Sequence, residues 1–421
     1  MRASRPVIVR LLAAGAALAL GAGLAAPTLG PANAAPGKKV DKDVRFATFN
    51  ASLNRNTEGQ LVTDLSTTTN AQASLIAETI QRVNPDVLLI NEFDFVEDGV
   101  AAELFRDNYL AVPHNGAPGV DYPYYFVAPS NTGVPSGFDL DNFGGVGGPN
   151  DAFGFGFFPG QFGMVVYSKY PIRYDEVRTF QHFLWKDMPG AMLPDDPATA
   201  APQDWYSPAE LDVFRLSSKS HWDVPISIGK KTVHSLVSHP TPPVFDGVED
   251  RNGTRNFDEI RFWADYVTGG STASYIYDDE GGTGGLARGS RFVIAGDQNS
   301  DPLDGDSIPG SIQQLLDNPR VNSSSPPTSE GAVEATALQG GANLTHESPP
   351  QFDTADFADN APGNLRADYV LPSRQLGILD SAVFWPLTTD PLWRLTRDFP
   401  NNQPTDHRMV WVDVHLNHKG A

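Results

Sequence analysis

Polar residues stand at or beside the ends of apolar runs: Asn50, Glu92, His239, Asp297, Asn299, Asp368, Asp406 and His407. Carboxylates with an amide suit a hard, oxygen-seeking cation such as Mg²⁺. Histidines near neutral pH carry protons or donate hydrogen bonds. Together these types fit metal-assisted attack of water on phosphorus. The cation and the donors offset charge on the transferring group, and one base activates the water. Asp297 and Asn299 stand two apart, so an extended segment would turn both to one pocket. Each residue alone also has a plain reading. Asn50 at a strand end can be a turn residue, and Asp406-His407 can be loop polarity. The force of the pattern lies in the set and its order.

The elements that must position this set alternate. Val44–Phe49 predicts a strand, and Asn70 offers a cap to a helix whose stripe is Ala73, Ile76, Ala77, Ile80 and Val83. Val87–Ile90 is continuously apolar, as in a strand buried on both faces. The pattern returns at 232–237, in a second helical stripe (Phe257, Ile260, Trp263, Ala264, Val267), at 292–295, 369–371, 378–384 and 409–414. Strands alternating with helices predict an α/β domain. Four irregular stretches, near 131–163, 187–208, 269–289 and 317–364, are expected to be loops on that one domain.

Composition narrows the class. The chain has 421 residues, 40% hydrophobic, enough for a real core. It carries 51 acidic against 30 basic residues, a formal charge of −21. That argues against a passive nucleic-acid coat protein, whose affinity rests on Lys and Arg. Bound cations would still permit work on a phosphoester. Cysteine is absent, which excludes disulfides, thiolate zinc sites and cysteine nucleophiles. Arg2, Arg5 and Arg10, the apolar run Leu11–Ala26 and the Ala32-Asn33-Ala34 site predict a signal peptide over 1–34, then a tail over 35–43. Cleavage would remove three arginines and leave 27 basic residues, a charge of −24. The expected product is secreted, with no stable membrane anchor and no obligate protein partner.

Seven short stretches occur in a familiar order: Thr48-Phe49-Asn50, Asn91-Glu92-Phe93, the run 163–172, Ser238-His239-Pro240, the run 296–301, the run 366–370 and the run 405–408. In these the chain resembles the endonuclease/exonuclease/phosphatase, DNase I-like, superfamily over about residues 44–416. The resemblance implies a four-layered α/β sandwich, two packed mixed β-sheets flanked by helices, as one catalytic domain over 44–418. It implies a divalent-metal-dependent phosphoester hydrolase using Mg²⁺, with Mn²⁺ or Ca²⁺ as alternatives. Glu92 would be the principal metal ligand, with Asn50 beside it and Asp406 as a second acid. Asp297 and Asn299 would position the attacking water and a phosphate oxygen. His407 would contact phosphate and serve as general base, with Asp297 its rival in that role. Asp368 would orient His407, and His239 would stabilise the transition state or assist the leaving group.

Three prolines follow His239 within four residues and fix an extended loop before the next helix. Arg255 and Asn256 are candidates to bind substrate phosphate, since Arg suits bidentate phosphate contacts; a surface helix start is the plainer reading. The six phenylalanines between Phe138 and Phe158 are either an apolar rim for lipid or base stacking, or rings that pack on the domain, the reading favoured here. Asp297–Asp301 opens like an EF-hand but has Pro302 at the glycine position, and Gly144–Gly148 lacks a P-loop lysine. His415 and His418 read as tail polarity rather than a zinc pair. The substrate is a small-molecule, lipid or nucleic-acid phosphoester. An extracellular non-specific DNase, a phosphomonoesterase on sugar or inositol phosphates, and a non-catalytic binding protein on the same fold are the alternatives.

Overall fold

The computed structural model describes residues 43–397 and 404–416. The segment expected to be a signal peptide, most of the tail after it and His418 lie outside the described residues. Among the described residues eleven strands form two sheets. In chain order they are β1 (Asp43–Leu53), β2 (Val87–Phe93), β3 (Tyr124–Phe126), β4 (Met164–Ser168), β5 (Arg178–Thr179), β6 (His221–Ile228), β7 (Lys231–Ser238), β8 (Arg291–Asp297), β9 (Asp368–Pro372), β10 (Gly377–Val383) and β11 (Val410–His415). One sheet runs β10-β11-β1-β2-β4-β3, the other β5-β6-β7-β8-β9. Each sheet is mixed. Its one parallel pair, β1/β2 or β7/β8, is flanked by antiparallel neighbours.

Parallel neighbours need a crossover, and a helix supplies each one. Helix Ala71–Val83 joins β1 to β2; Asn70 accepts from the Ala73 amide at its start, and Asn84 ends it in a left-handed turn. Helix Arg251–Thr268 joins β7 to β8. The layers follow from period-two alternation. Val44 and Phe46, Val87 and Leu89, and Val293 and Ala295 point between the sheets and meet there with Trp222, Val224 and Val412. Ala47 and Phe49, with Leu88 and Ile90, point outward onto Ile76 and Ile80. Phe292 and Ile294 point outward onto Ile260, Trp263 and Val267. The result is the expected four-layered α/β sandwich.

Two details differ from the sequence reading. β1 runs past Asn50 to Leu53 through an irregular register with β2. The stretch 317–364, expected as loop, carries helix Glu330–Gln339, capped by Ser329 and seated through Gly331 and Ala332. Its alanine-rich composition favours helix, but it lacks an apolar stripe to announce it. Among the described residues no helix is long and apolar enough to cross a membrane.

The first residue of β6 offers a test of folding electrostatics. His221 is buried between Phe262 and Trp263. Its Nε2–H donates to the Glu259 carbonyl, and Ser217 Oγ donates to Nδ1, the pattern of a neutral ring. Burial pushes its pKa down to about 3 from the usual 6.5. A depressed folded pKa gives stability that is complete above 6.5 and is lost as pH falls toward 3. The loss is on the order of 4–5 kcal/mol. Urea midpoints between pH 7 and pH 3.5 should fall steeply for the natural chain and less so for His221→Gln. Parallel curves would remove His221 from the acid limb.

Candidate active site

The layered topology collects the polar strand ends on one edge. β1, β2, β7 and β8 end there, and the antiparallel β9 and β11 begin there. Asn50 sits opposite Asn91 in the β1/β2 register, and Asp297 opposite Asp368 in the β8/β9 register. Asn91 Oδ1 accepts from the Asp297 amide at 3.2 Å, and Asn50 Nδ2 donates to Asp297 Oδ2 at 3.1 Å. These two bonds tie the sheets together at the site. Gly296 permits the close approach: a Cβ there would lie 2.1 Å from the Ser238 carbonyl oxygen.

Asp297 Oδ2 is the hub. Besides Asn50, it lies 3.3 Å from His239 Nε2 and 3.5 Å from His407 Nε2. His407 Nδ1 meets Asp368 Oδ2 at 2.8 Å, the expected carboxylate–imidazole arrangement. Thr354 Oγ1 donates to the same Asp368 oxygen at 2.9 Å, and the Phe357 ring stands edge-on to His407. Both come from the insertion at 317–364, so that insertion helps build the site. Glu92 takes a left-handed φ of 56° and receives Asn50 Nδ2 at 3.1 Å. A non-glycine residue held there costs about 1–2 kcal/mol, which the surrounding packing must offset.

Asn299 departs from the expected alternation. The strand stops at Asp297, and Asn299 turns left-handed at φ 51°. Its backbone N–H donates to Asp297 Oδ1, and its amide donates to the Pro240 carbonyl. It therefore braces the base of the His239 loop. Asp297, Asp368 and His407 bring ligand atoms within 4.8 Å of one another. Asp368 Oδ2 bonds His407 and Thr354, its Oδ1 has no hydrogen-bond partner among the described residues, and His407 faces Asp297 across a longer ion pair, so the trio forms a relay. Glu92, Asn50 and the half-buried Asp406 form a separate acidic corner, in which Asp406 is near enough to raise the Glu92 pKa further.

The two histidines differ in charge. Burial lowers both, but at His407 the Asp368 and Asp297 carboxylates outweigh it and hold the pKa well above 6.5. At His239 burial is reinforced by Lys219 and His407, and the ring is held neutral. His239 Nδ1 is buried without a hydrogen-bond partner among the described residues. Burial pushes Asp297 up to about 6, with His407 opposing and Asp368 adding to the rise. Glu92 is raised by burial and by Asp406.

A cleft of about 560 Å³ opens from Glu92 and His239. It contains Lys219, which the sequence reading passed over: one lysine among serines just before β6. Lys219 is 6% exposed, and its ammonium makes no hydrogen bond to a described residue. Burial lowers its pKa, against the pull of Glu259, Glu92 and Asp297. Arg255 also lines the cleft, but its guanidinium donates to the Leu216, Phe153 and Arg215 carbonyls and covers the Phe214 ring. Asn256 donates to the Thr241 and Gln298 carbonyls. The structure thus gives Arg255 and Asn256 bracing contacts in place of the open phosphate-facing position expected for them. Arg251 lines the same cleft, paired with Glu249, while Arg366 lies over Tyr369 and Phe352.

Glu259, one turn beyond Arg255, clamps two site loops. Its carboxylate accepts from the Ser218 and Thr241 amides, both at 2.6 Å, beside Lys219 and His239. A Gln at this position has one carbonyl oxygen, so one amide would lose its acceptor. Glu259→Gln is expected to lower the unfolding free energy by about 1–3 kcal/mol, read as a shifted urea midpoint. An unchanged midpoint would show that the clamp carries no weight.

The family model described as Endonuclease/Exonuclease/phosphatase matches residues 47–407. No curated protein matches the chain. Solved structures that resemble it include an endonuclease/exonuclease/phosphatase from Beutenbergia cavernae, 15% identical over 89% of this chain and 72% of that one, TM-score 0.45. A family protein from Leptotrichia buccalis is 13% identical over 88% of this chain and 99% of that one, TM-score 0.42. The beta toxin of Staphylococcus aureus with bound magnesium ions is 14% identical over 88% and 99%, TM-score 0.41. Members of the matched family are generally hydrolases acting on phosphoester bonds. With 47–407 spanning every residue of the relay, the chain belongs to the endonuclease/exonuclease/phosphatase family.

Proposed function

We propose that this chain is an exported, divalent-metal-dependent phosphoester hydrolase. The observation that supports it best is the Asp297 carboxylate, held within 3.5 Å of a neutral and a charged imidazole. The acidic corner fits a hard cation. Glu92 is half-buried near Asp406, and Asn50 is its one hydrogen-bond donor among the described side chains. A site so rich in oxygen and negative charge suits Mg²⁺. When bound by Glu92, Asn50 and Asp406, the ion would act as a Lewis acid toward a phosphoryl oxygen.

The chain's own groups divide the proton work. Ionised Asp297 accepts a proton from the attacking water, whose oxygen bonds to phosphorus as the ester P–O bond breaks. The charged His407, fixed by Asp368, donates a hydrogen bond to a phosphoryl oxygen. Its charge makes it a donor, so the general-base role expected for it passes to Asp297. His239 Nε2 orients Asp297. Lys219 stands in the cleft, with a pKa lowered by burial, where it can protonate the departing alkoxide.

These roles set the kinetics. With bis(p-nitrophenyl) phosphate and Mg²⁺, kcat/KM should rise through about pH 6 as Asp297 ionises. Chelator should abolish turnover, and Asp297→Asn should cost about 10²–10⁴-fold. Lys219→Met should slow an alkyl diester more than the p-nitrophenyl diester, whose leaving group needs no proton. Turnover indifferent to chelator would overturn the metal; equal losses on both diesters would overturn the role of Lys219. Export predicts that the secreted protein begins at Ala35. Amino-terminal sequencing that finds Met1 on secreted protein would refute cleavage.

A further inference from the structure

The cleft is built for something other than a second phosphate. Its walls carry Leu140, Phe155, Phe162, Phe214, Val244 and Phe245. Apart from His239 Nδ1 and Thr241 Oγ1, which have no hydrogen-bond partner among the described residues, most of the polar side chains there are engaged. Arg251 pairs with Glu249, Arg255 donates to backbone carbonyls, Asn252 donates to the Val244 carbonyl and Asn150 donates to Asp141. Lys219 is the cleft cation whose ammonium has no hydrogen bond to a described residue. One free cation beside an apolar channel matches one phosphate carrying an apolar substituent. A nucleic-acid strand asks instead for a row of cations along its backbone.

The mouth extends the same chemistry outward. The Gly-rich loop was expected to pack its rings, and Phe153 and Phe158 do so. Phe143, Phe155 and Phe157 do not: they are 82%, 50% and 66% exposed. Phe157 stands edge-on to Phe155 at 5.6 Å, and Phe155 lies 6.4 Å from Phe162, so rings lead from the surface into the cleft. Opposite, in the loop after His239, Phe245 and Val248 are each 87% exposed, and Phe245 lines the cleft. Gly154 lets the ring-bearing loop lie against the Ser218 carbonyl, beside Lys219; a Cβ there would approach that oxygen to 1.8 Å. Large apolar side chains this exposed, on two loops that each contribute a ring to the cleft lining, mark a surface that meets an apolar partner.

Building on the phosphoesterase reading, we propose that the substrate is a phospholipid in a zwitterionic membrane surface. Its ester phosphate reaches Lys219 and the Asp297 relay, its apolar part fills the cleft, and Phe157 and Val248 enter the acyl region around it. The chain's charge of −21 opposes an anionic bilayer and leaves a zwitterionic one accessible.

The test uses the full mature chain with phosphatidylcholine vesicles, a short oligonucleotide and bis(p-nitrophenyl) phosphate. The natural protein should sediment with the vesicles. The double variant Phe157→Ser, Val248→Ser, altered outside the cleft lining, should lose vesicle partitioning at least tenfold while hydrolysing the soluble diester at the natural rate. A natural protein that stays in the supernatant, or a variant that partitions equally, overturns the lipid assignment. Oligonucleotide cleavage faster than release of lipid phosphate, unaffected by the double substitution, overturns it in favour of nucleic acid. Absence of soluble-diester turnover in the natural protein would strike the phosphoesterase reading itself, whatever the vesicles show.

Discussion

Two mixed sheets packed face to face through a dry apolar layer constrain everything else in this protein. Val44, Phe46, Trp222, Val224, Val293 and Val412 meet in that layer. Close packing leaves the sheets little freedom to slide, because a small shift would open voids across many contacts. The relative height of the strand ends is thereby set. The parallel pairs β1/β2 and β7/β8 then present Asn50, Glu92, His239 and Asp297 at one edge. The bonds from Asn50 and Asn91 to Asp297 lock that edge across the sheets.

Crowding buried acids at one edge has an electrostatic consequence. Asp297 and Asp368 are buried and Glu92 half-buried beside them, with His407 and Lys219 as the nearby positive charges. Burial penalises charge, so each group settles according to its nearest partner. His407, in contact with Asp368, becomes cationic; His239, beside Lys219 and His407, becomes neutral. Two residues of one type thus take opposite states within reach of one carboxylate. That division supports an assignment of proton acceptor and hydrogen-bond donor which residue type alone leaves open.

The loops are as much a part of the site as the strands. Thr354 and Phe357 from one insertion hold Asp368 and His407, and the ring-bearing loop forms a wall of the cleft. Glu259 and Asn256, on the apolar-striped crossover helix, fasten the turns that carry Lys219, His239 and Asn299. Buried polar groups of this kind are stable because each is bonded to backbone that would otherwise be unsatisfied.

What the sequence determined by itself was the periodic and local part. The stripe from Ala73 to Val83 and the apolar run 87–90 state a helix and a two-face-buried strand, because those patterns repeat over a few residues. The ordered motifs named the family and gathered Glu92, Asp297, Asp368 and His407 as one set. Tertiary structure decided the rest. Asn91, Lys219, Glu259 and Thr354 act through partners 41, 147 or 206 residues away or across a loop, and no local pattern marks such a meeting. Arg255 and Asn256 looked free for phosphate because a sequence does not show which backbone carbonyls will surround a side chain. The phenylalanines divided for the same reason: Phe153 found a packed neighbour and Phe157 a surface, and only the path of the loop distinguishes them.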